Sequence, residues 1–217
     1  NFRALCTAEV ATATFHNGLT LRGAKVRDFL EWSRVLDYVL VNYADKSDLS
    51  FASHHWPTFG TENVQDYLRG QRDVYRYTHD QTVRRANQGQ TQFEIAEDIP
   101  EPDVQETHFD TRGYYGTLNH NAKAVYQYYF GWWDGVPATY NAWPMEERSK
   151  RMVALAGGED AALVAGEDAF NEGDYRWAAE VFNAVVFTNP ENKLARDWLA
   201  STYEQMGFQA ESGAWRD

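Results

Sequence analysis

The chain has 217 residues, of which 43% are hydrophobic and 15% aromatic, so it can bury a sizeable core, which argues against intrinsic disorder. Its formal net charge of -12 repels phosphate backbones and anionic membranes, and nucleic acid is therefore not an expected partner. The single cysteine, Cys6, excludes an intrachain disulfide and leaves the compartment open between a bacterial periplasm or exterior and a cytoplasm.

The first 60 residues follow a strand, helix, strand pattern that is typical of an α/β unit. A strand-like run at 2–6 is followed by apolar residues at helical spacing between Val26 and Tyr43. A second strand-like run, 49–52, ends just before His54. The first run resembles a strand interior with no preceding turn, and the chain has neither a signal-peptide core nor an 18-residue apolar run. We therefore expect residue 1 to lie inside a longer protein that has been truncated or processed.

The middle of the chain is predicted to be mainly helical. Thr61 is a candidate N-cap of a long helix that stops at the polar, glycine-containing segment 87–89. The acidic stretch 98–110 contains two prolines and is predicted to be a loop. An aromatic-rich helix is expected over 121–133, and a further helix between the proline and the glycine pair that bound 144–158.

Residues 159–207 are predicted to form helical hairpins of the tetratricopeptide type. Gly173 and Gly207 are 34 residues apart, which is the tetratricopeptide period, and alanines and a proline occupy typical positions between them. One and a half such units need a neighbour to bury their apolar face, so we expect this region to dock on another part of the protein or on a second subunit. The tail 209–217 is predicted to begin a linker.

Two residues at strand ends are candidate metal ligands. Glu9 follows the first strand-like run, and His54 follows the second. Zinc binds imidazole nitrogen and carboxylate oxygen, and hydrolytic zinc sites keep a coordination position for water. On spacing alone, however, a solvated glutamate and an ordinary hydrogen-bonded histidine are the favoured interpretation.

A second group of polar residues lies between the candidate ligands. His16 has the residue type of a general acid, because its pKa lies near operating pH. Arg22 offers a planar fork that fits a sulfate or phosphate group. Taken alone, a loop histidine and a solvated arginine are the favoured interpretation of these residues.

The sequence also contains an aromatic cluster and lacks several local motifs. The aromatic cluster comprises Tyr126, Tyr128, Tyr129, Phe130, Trp132, Trp133 and Trp143. This cluster could line a pocket for an alkyl chain, but a core or a helix–helix interface is the favoured interpretation. There is no His-x-His or His-x-x-x-His pair, no nucleophile elbow and no phosphate-binding glycine loop, so local motifs do not assemble a complete metal site.

Together these motifs resemble those of the metallo-β-lactamase-type alkyl sulfatases, the enzymes that hydrolyse sodium dodecyl sulfate. The matching runs follow the same order almost from end to end, and the most specific is Ser53-His54-His55-Trp56-Pro57-Thr58-Phe59-Gly60. The others are Cys6-Thr7-Ala8-Glu9, His16-Asn17, Leu19-Thr20-Leu21-Arg22-Gly23-Ala24, Val26-Arg27-Asp28, His79-Asp80-Gln81-Thr82, Arg112-Gly113-Tyr114-Tyr115-Gly116-Thr117-Leu118, Gly131-Trp132, Asp134-Gly135, Gly173-Asp174-Tyr175-Arg176-Trp177-Ala178 and Gln209-Ala210-Glu211-Ser212-Gly213.

The resemblance implies a fold class and a domain division. The fold expected is α+β: residues 1–60 would be the C-terminal portion of an αββα metallo-β-lactamase sandwich, and residues 61–217 an all-α dimerisation domain with tetratricopeptide-like hairpins. A homodimer through the helical domain is expected. The family's His-x-His-x-Asp-His block and a further ligand glutamate would lie upstream of residue 1, and its C-terminal sterol-carrier-like domain is missing. Ala13 stands where the family has a histidine.

The resemblance also implies residue roles. In the full-length enzyme two zinc ions would be bound, with Glu9 as the bridging ligand and His54 as a ligand of the second ion. His16 resembles the general acid and Arg22 the arginine that grips the sulfate group, with Asn17 beside it; His120 and Tyr115 resemble substrate contacts. The implied reaction is hydrolysis of alkyl sulfate esters to an alcohol and inorganic sulfate. Two alternatives stay open: a non-catalytic dimerisation scaffold, and another metallo-β-lactamase-type hydrolase acting on a different ester.

Overall fold

The computed structural model describes residues 3–216, which are mostly helical with one small sheet. The strands are β1 (Ala4–Ala8), β2 (Leu49–Ala52) and β3 (Thr58–Phe59). The longer helices are α1 (Phe29–Asn42), α2 (Thr61–Ala86), α5 (Leu118–Phe130), α7 (Met145–Ala156), α8 (Glu159–Glu172), α9 (Tyr175–Thr188) and α10 (Lys193–Gln209). The shorter ones are α3 (Gln92–Asp98), α4 (Asp103–Thr107), α6 (Pro137–Tyr140) and α11 (Gly213–Arg216).

The strand, helix, strand prediction for the N-terminal region is confirmed. Strands β1 and β2 pair in parallel, β3 pairs antiparallel with β2, and α1 lies between β1 and β2 in the chain. Part of the first predicted strand falls on Phe2, which lies outside the described residues. A small three-stranded sheet and a mainly helical remainder agree with an α+β class. The more detailed assignment to a metallo-β-lactamase sandwich stays a prediction.

Two compact units make up the chain. One comprises residues 1–135 and 211–214, and the other residues 136–210 and 215–217. The predicted boundary between residues 60 and 61 concerns the domains of a longer protein and stays a prediction. In the second unit Phe182 is fully buried, stacks on Trp198 at 5.8 Å and packs against Gly166. The helices predicted between residues 159 and 207 are therefore found as α8, α9 and α10, while their tetratricopeptide-like character stays a prediction.

The core of the first unit is an aromatic cluster under the N-terminal loops. Tyr75 of α2 is fully buried and stacks on Trp32 of α1 with ring centroids 4.2 Å apart. Phe15 and Phe29 meet the same tyrosine ring at 5.4 Å each. Burying one such ring stabilises the fold by about 3–5 kcal/mol, judged from the cost of truncating it. These ring contacts therefore hold the loop that leads from β1 to α1 against the core.

Four local predictions are wrong in detail. The N-cap of α2 is Gly60 rather than Thr61, because its φ of 90° suits glycine. The predicted loop 98–110 contains α4, since Pro102 is tolerated at a helix start.

Helix α5 begins three residues earlier than predicted, where the Thr117 hydroxyl accepts a hydrogen bond from the His120 N–H, and it ends before Gly131. The tail is no linker: Ser212 is buried, and the Gly213 N–H donates to the Tyr114 carbonyl at 2.9 Å.

Candidate active site

Glu9 and His54 meet because they follow two paired parallel strands, whose carboxyl ends share one sheet edge. Two residues with positive φ shape this edge, Ala8 at 48° and His55 at 67°. The Ser53 N–H donates to the Ala8 carbonyl at 2.9 Å and holds the two loops together. As a result, His54 Nε2 lies 3.1 Å from Glu9 Oε1.

The Glu9–His54 pair is open to solvent, with each side chain more than half exposed. The hydrogen bond from His54 lowers the pKa of the Glu9 carboxyl, which is therefore ionised at neutral pH. A carboxylate and an imidazole are both zinc ligands, and two such donors are half of a tetrahedral set. Within residues 3–216, no group of three or more His, Cys, Asp or Glu side chains is arranged to hold a metal ion.

A cavity of about 580 Å³ opens beside this pair. Its lining combines acid–base groups, two guanidinium groups, threonine hydroxyls and tyrosine rings: Glu9, Thr12, Thr14, His16, Arg22, Arg27, His54, His55, Tyr114 and Tyr115. Four of the residues singled out in the sequence, together with Tyr115, are thus brought into one cavity. Asn17 and His120 are not among its lining residues.

His16 is buried between aromatic rings. Its ring centroid lies 4.8 Å from that of Tyr115 and 5.8 Å from that of Trp32. Burial lowers its pKa, because the charged imidazolium is desolvated. The ring Nδ1–H donates to the Asn17 carbonyl at 3.2 Å, which leaves Nε2 as the nitrogen that can exchange a proton. A histidine in this state gives up a proton readily once protonated.

The two arginines of the cavity are held in different ways. Arg22 is exposed in the turn that the Gly23 N–H closes on the Thr20 carbonyl. Arg27 is half-buried, and its Nη1 donates to both oxygens of Asn17, the carbonyl at 2.6 Å and Oδ1 at 2.9 Å. Its guanidinium carbon also lies 5.8 Å from the centre of the Trp32 ring. Asn17 therefore orients Arg27 rather than lining the cavity itself.

His120 and the predicted aromatic cluster lie elsewhere. His120 is half-buried near the start of α5, where its Nδ1 lies 2.8 Å from Thr117 Oγ1, and burial lowers its pKa. Of the aromatic cluster, Tyr126 is buried in the core of the first unit. Five others have large exposed surfaces and are not part of a core of the described residues: Tyr128, Tyr129, Phe130, Trp132 and Trp143. For these five, the helix–helix interface that was expected as the alternative to a core stays a prediction. None of the cluster lines the cavity that contains Glu9.

Sequence reasoning missed Arg27 as a cavity residue and Asn121 as a support of the cavity loop. The Asn121 side chain contacts the backbone on both sides of Asn17. Arg27 could have been noticed, since it lies five residues after Arg22 in a run that carries the family resemblance. Asn121 gives no such signal, because it is one polar residue in an amphipathic helix, more than 100 residues from its partners.

The fold and the cavity define a site that combines acid–base groups with anion-binding guanidinium groups. Residues 91–217 match the family model described as alkyl sulfatase dimerisation. The chain belongs to this alkyl sulfatase dimerisation family.

Relatives match the chain over nearly its whole length. It is 47% identical over 215 residues to a linear primary-alkylsulfatase from Pseudomonas sp, covering 99% of this chain and 32% of that protein. It is 45% identical to an alkyl/aryl-sulfatase of Saccharomyces cerevisiae, covering 99% and 33%. A solved stereoselective inverting sec-alkylsulfatase from Pseudomonas sp. matches with a TM-score of 0.97 at 41% identity, covering 99% and 34%. The chain therefore spans about a third of the length of the relatives it matches.

Among the described residues, no helix combines the length and the apolar character needed to cross a lipid bilayer.

Proposed function

We propose that this chain is part of a longer protein that hydrolyses alkyl sulfate esters to an alcohol and inorganic sulfate. The observation that best supports the proposal is the single cavity that joins the Glu9–His54 pair to His16, Arg22 and Arg27. The relatives named alkylsulfatases add the substrate class. The same longer protein would supply the rest of the metal site and the rest of the catalytic domain.

The metal in this proposal is zinc, bound as a pair in the full-length protein. Glu9 and His54 would each contribute a ligand, and both have donor atoms of the kind that zinc prefers. Bound zinc lowers the pKa of a coordinated water and so supplies hydroxide near neutral pH. Glu9 and His54 lie in contact and both side chains are more than half exposed, which is compatible with their holding an ion together.

The chain's own residues would bind and orient the ester. Arg22 presents two parallel N–H donors to the sulfate oxygens, in the geometry that guanidinium groups adopt with oxyanions. Arg27, held in place by Asn17, adds a second positive charge to the same cavity. Positive groups placed where negative charge gathers on the sulfate oxygens stabilise the transition state. Tyr115 would contact the substrate beside His16. His120, which the family resemblance makes a substrate contact, is not among the residues that line the cavity.

Two routes conserve the atoms of the ester and one water. If hydroxide attacks sulfur, the S–O bond breaks, and the departing alkoxide takes a proton from His16 to become the alcohol. If hydroxide attacks the carbon that bears the ester oxygen, the C–O bond breaks and sulfate leaves without a proton. His16 carries a catalytic role on the first route only. Burial lowers the pKa of His16, which makes its imidazolium a stronger acid than a solvated one and leaves less of it protonated at neutral pH.

The helical part would form the subunit contact of a homodimer, as the name of the matched family indicates. The proposal also keeps the N-terminal region as the end of a metallo-β-lactamase sandwich and the helices α8–α10 as tetratricopeptide-like hairpins. Two alternatives differ in measurable ways. A non-catalytic scaffold would dimerise without zinc or turnover, and another hydrolase of this superfamily would bind zinc without releasing sulfate from alkyl sulfates.

Measuring sulfate release from dodecyl sulfate by the full-length protein, together with its zinc content, separates these readings. Two zinc ions per chain and sulfate release are the expected result. Zinc without sulfate release would contradict the proposed substrate class. The absence of both zinc and sulfate release would contradict the proposal that the protein is an enzyme. The exact bond broken follows from running the reaction in ¹⁸O-labelled water, since label appears in sulfate for S–O cleavage and in the alcohol for C–O cleavage.

A further inference from the structure

The side chain of Asn121 in α5 hydrogen-bonds to the loop that carries His16. Asn121 is 1% exposed, and both groups of its side-chain amide are used. Its Oδ1 accepts a hydrogen bond from the Gly18 N–H at 2.7 Å, and its Nδ2 donates to the His16 carbonyl at 3.0 Å. The amide therefore holds the backbone on both sides of Asn17, and two bonds from one planar group fix the rotation of the loop as well as its position.

The loop is held tightly from other directions as well. The His16 N–H donates to the Tyr75 hydroxyl at 3.1 Å, and the Gly116 N–H donates to the Phe15 carbonyl at 2.8 Å. A Cβ added at Gly116 would lie 2.7 Å from backbone atoms of His16 and Asn17. A backbone packed this closely has little freedom to compensate when one of its supports is lost.

The position of this loop determines where two groups of the cavity lie. It carries the His16 ring directly. It also carries Asn17, whose two oxygens accept from Arg27 Nη1 and so set where the guanidinium lies. Moving the backbone at residues 16–18 therefore displaces both groups at once.

We infer that Asn121 is a positioning residue of the sulfate-ester site, so that the segment matched by the dimerisation family also builds the catalytic cavity. The inference rests on the proposed function for the nature of the substrate. A displacement of about 1 Å at a catalytic group costs on the order of a hundredfold in rate. An effect of this kind reaches the cavity through the hydrogen bonds of the Asn121 side chain to the backbone of His16 and Gly18.

The test uses the full-length protein and the variants Asn121→Ala, Asn121→Asp and Asn119→Ala. Asn119 is a matched control, because it lies on the same helix and donates to a backbone carbonyl, that of Ala96 at 2.9 Å, away from the cavity. The measurements are KM and kcat for dodecyl sulfate, the Kd of inorganic sulfate by calorimetry, and the melting temperature. A variant that is merely less stable loses active protein, which lowers the apparent kcat and leaves KM and Kd unchanged.

The expected result for Asn121→Ala is a KM and a sulfate Kd about tenfold higher and a kcat/KM about a hundredfold lower. Asn119→Ala should keep KM and Kd within about twofold. Asn121→Asp keeps an oxygen that can accept from the Gly18 N–H but, when ionised, has no N–H to donate to the His16 carbonyl, so it should also raise KM and Kd. This variant tests the inference if Asn121→Ala does not fold. Wild-type KM and Kd in a folded Asn121 variant would overturn the inference alone. A wild-type protein that neither binds nor releases sulfate would overturn the proposed function and the inference with it.

Discussion

His54 Nε2 lies 3.1 Å from Glu9 Oε1, although 45 residues separate the two in the chain. The contact follows from the parallel pairing of β1 and β2, which brings the carboxyl ends of both strands to one edge. Because each residue follows one of two paired strands, the sheet fixes where the backbones of Glu9 and His54 lie. The pair therefore marks a fixed point around which the other cavity groups are arranged.

Replacing Arg22 by alanine should weaken sulfate recognition in the full-length protein. A charge-assisted hydrogen bond contributes about 1.5–3 kcal/mol, so KM for an alkyl sulfate should rise by roughly tenfold to a hundredfold. Lys25→Ala is the control, since Lys25 is exposed in the same loop and does not line the cavity. Steady-state kinetics on both variants checks this. Equal KM values for Arg22→Ala and wild type would show that Arg22 does not bind the sulfate group.

Gly116→Ala should destabilise the first compact unit and disturb the cavity. Its new Cβ would lie 2.7 Å from backbone atoms of His16 and Asn17, where no flexible side chain can give way. Overpacking of this kind costs about 1–3 kcal/mol. Gly207→Ala is the contrast: the nearest atom to its added Cβ is at 3.6 Å, and alanine in α10 should be neutral or stabilising by up to about 1 kcal/mol. Melting temperatures test the pair, and a harmless Gly116→Ala would mean that the loop is not tightly packed.

The Arg3–Asp48 ion pair should stabilise the N-terminal strand in a pH-dependent way. The hydrogen bond from the Arg3 side chain lowers the pKa of Asp48 from 3.8 to about 2. Because the folded-state pKa is the lower one, the stabilisation is present above the unfolded pKa and is lost as the pH falls through the folded value. The difference in melting temperature between wild type and Asp48→Asn should therefore hold steady above about pH 4 and shrink toward pH 2. A difference that stays constant down to pH 2 would contradict the assigned pairing.

The sequence predicted the parts of the molecule that depend on local patterns. A strand-like run predicts the strand at 49–52, and start and stop signals predict the helix from about residue 61; the structure has both. The sequence places Glu9 and His54 each after a strand-like run, and the parallel pairing that brings them together comes from the structure. Their roles as ligands come from the family resemblance and stay predictions, as do the roles of His16, Asn17, Arg22, Tyr115 and His120.

The supports of the cavity could not be predicted in the same way. Asn121 and Tyr75 hydrogen-bond to the backbone of His16 from 105 and 59 residues away, and contacts across such separations leave no signal in the local sequence. The linker prediction for the tail failed for the same reason. Polar composition suggests exposure, but Ser212 is buried because Gly213 bonds to the Tyr114 carbonyl in the same compact unit.

The most direct test of the account is to measure zinc content and dodecyl sulfate hydrolysis side by side in the full-length wild type and in Glu9→Gln, His54→Gln and His55→Gln. His55 is the matched control, because it lies next to His54 and lines the same cavity without contacting Glu9 in the structure described here. If Glu9 and His54 are zinc ligands, the Glu9 and His54 variants should lose zinc and at least about a hundredfold in kcat/KM, while His55→Gln should retain zinc. Full zinc content and normal sulfate release in either Glu9→Gln or His54→Gln would contradict it.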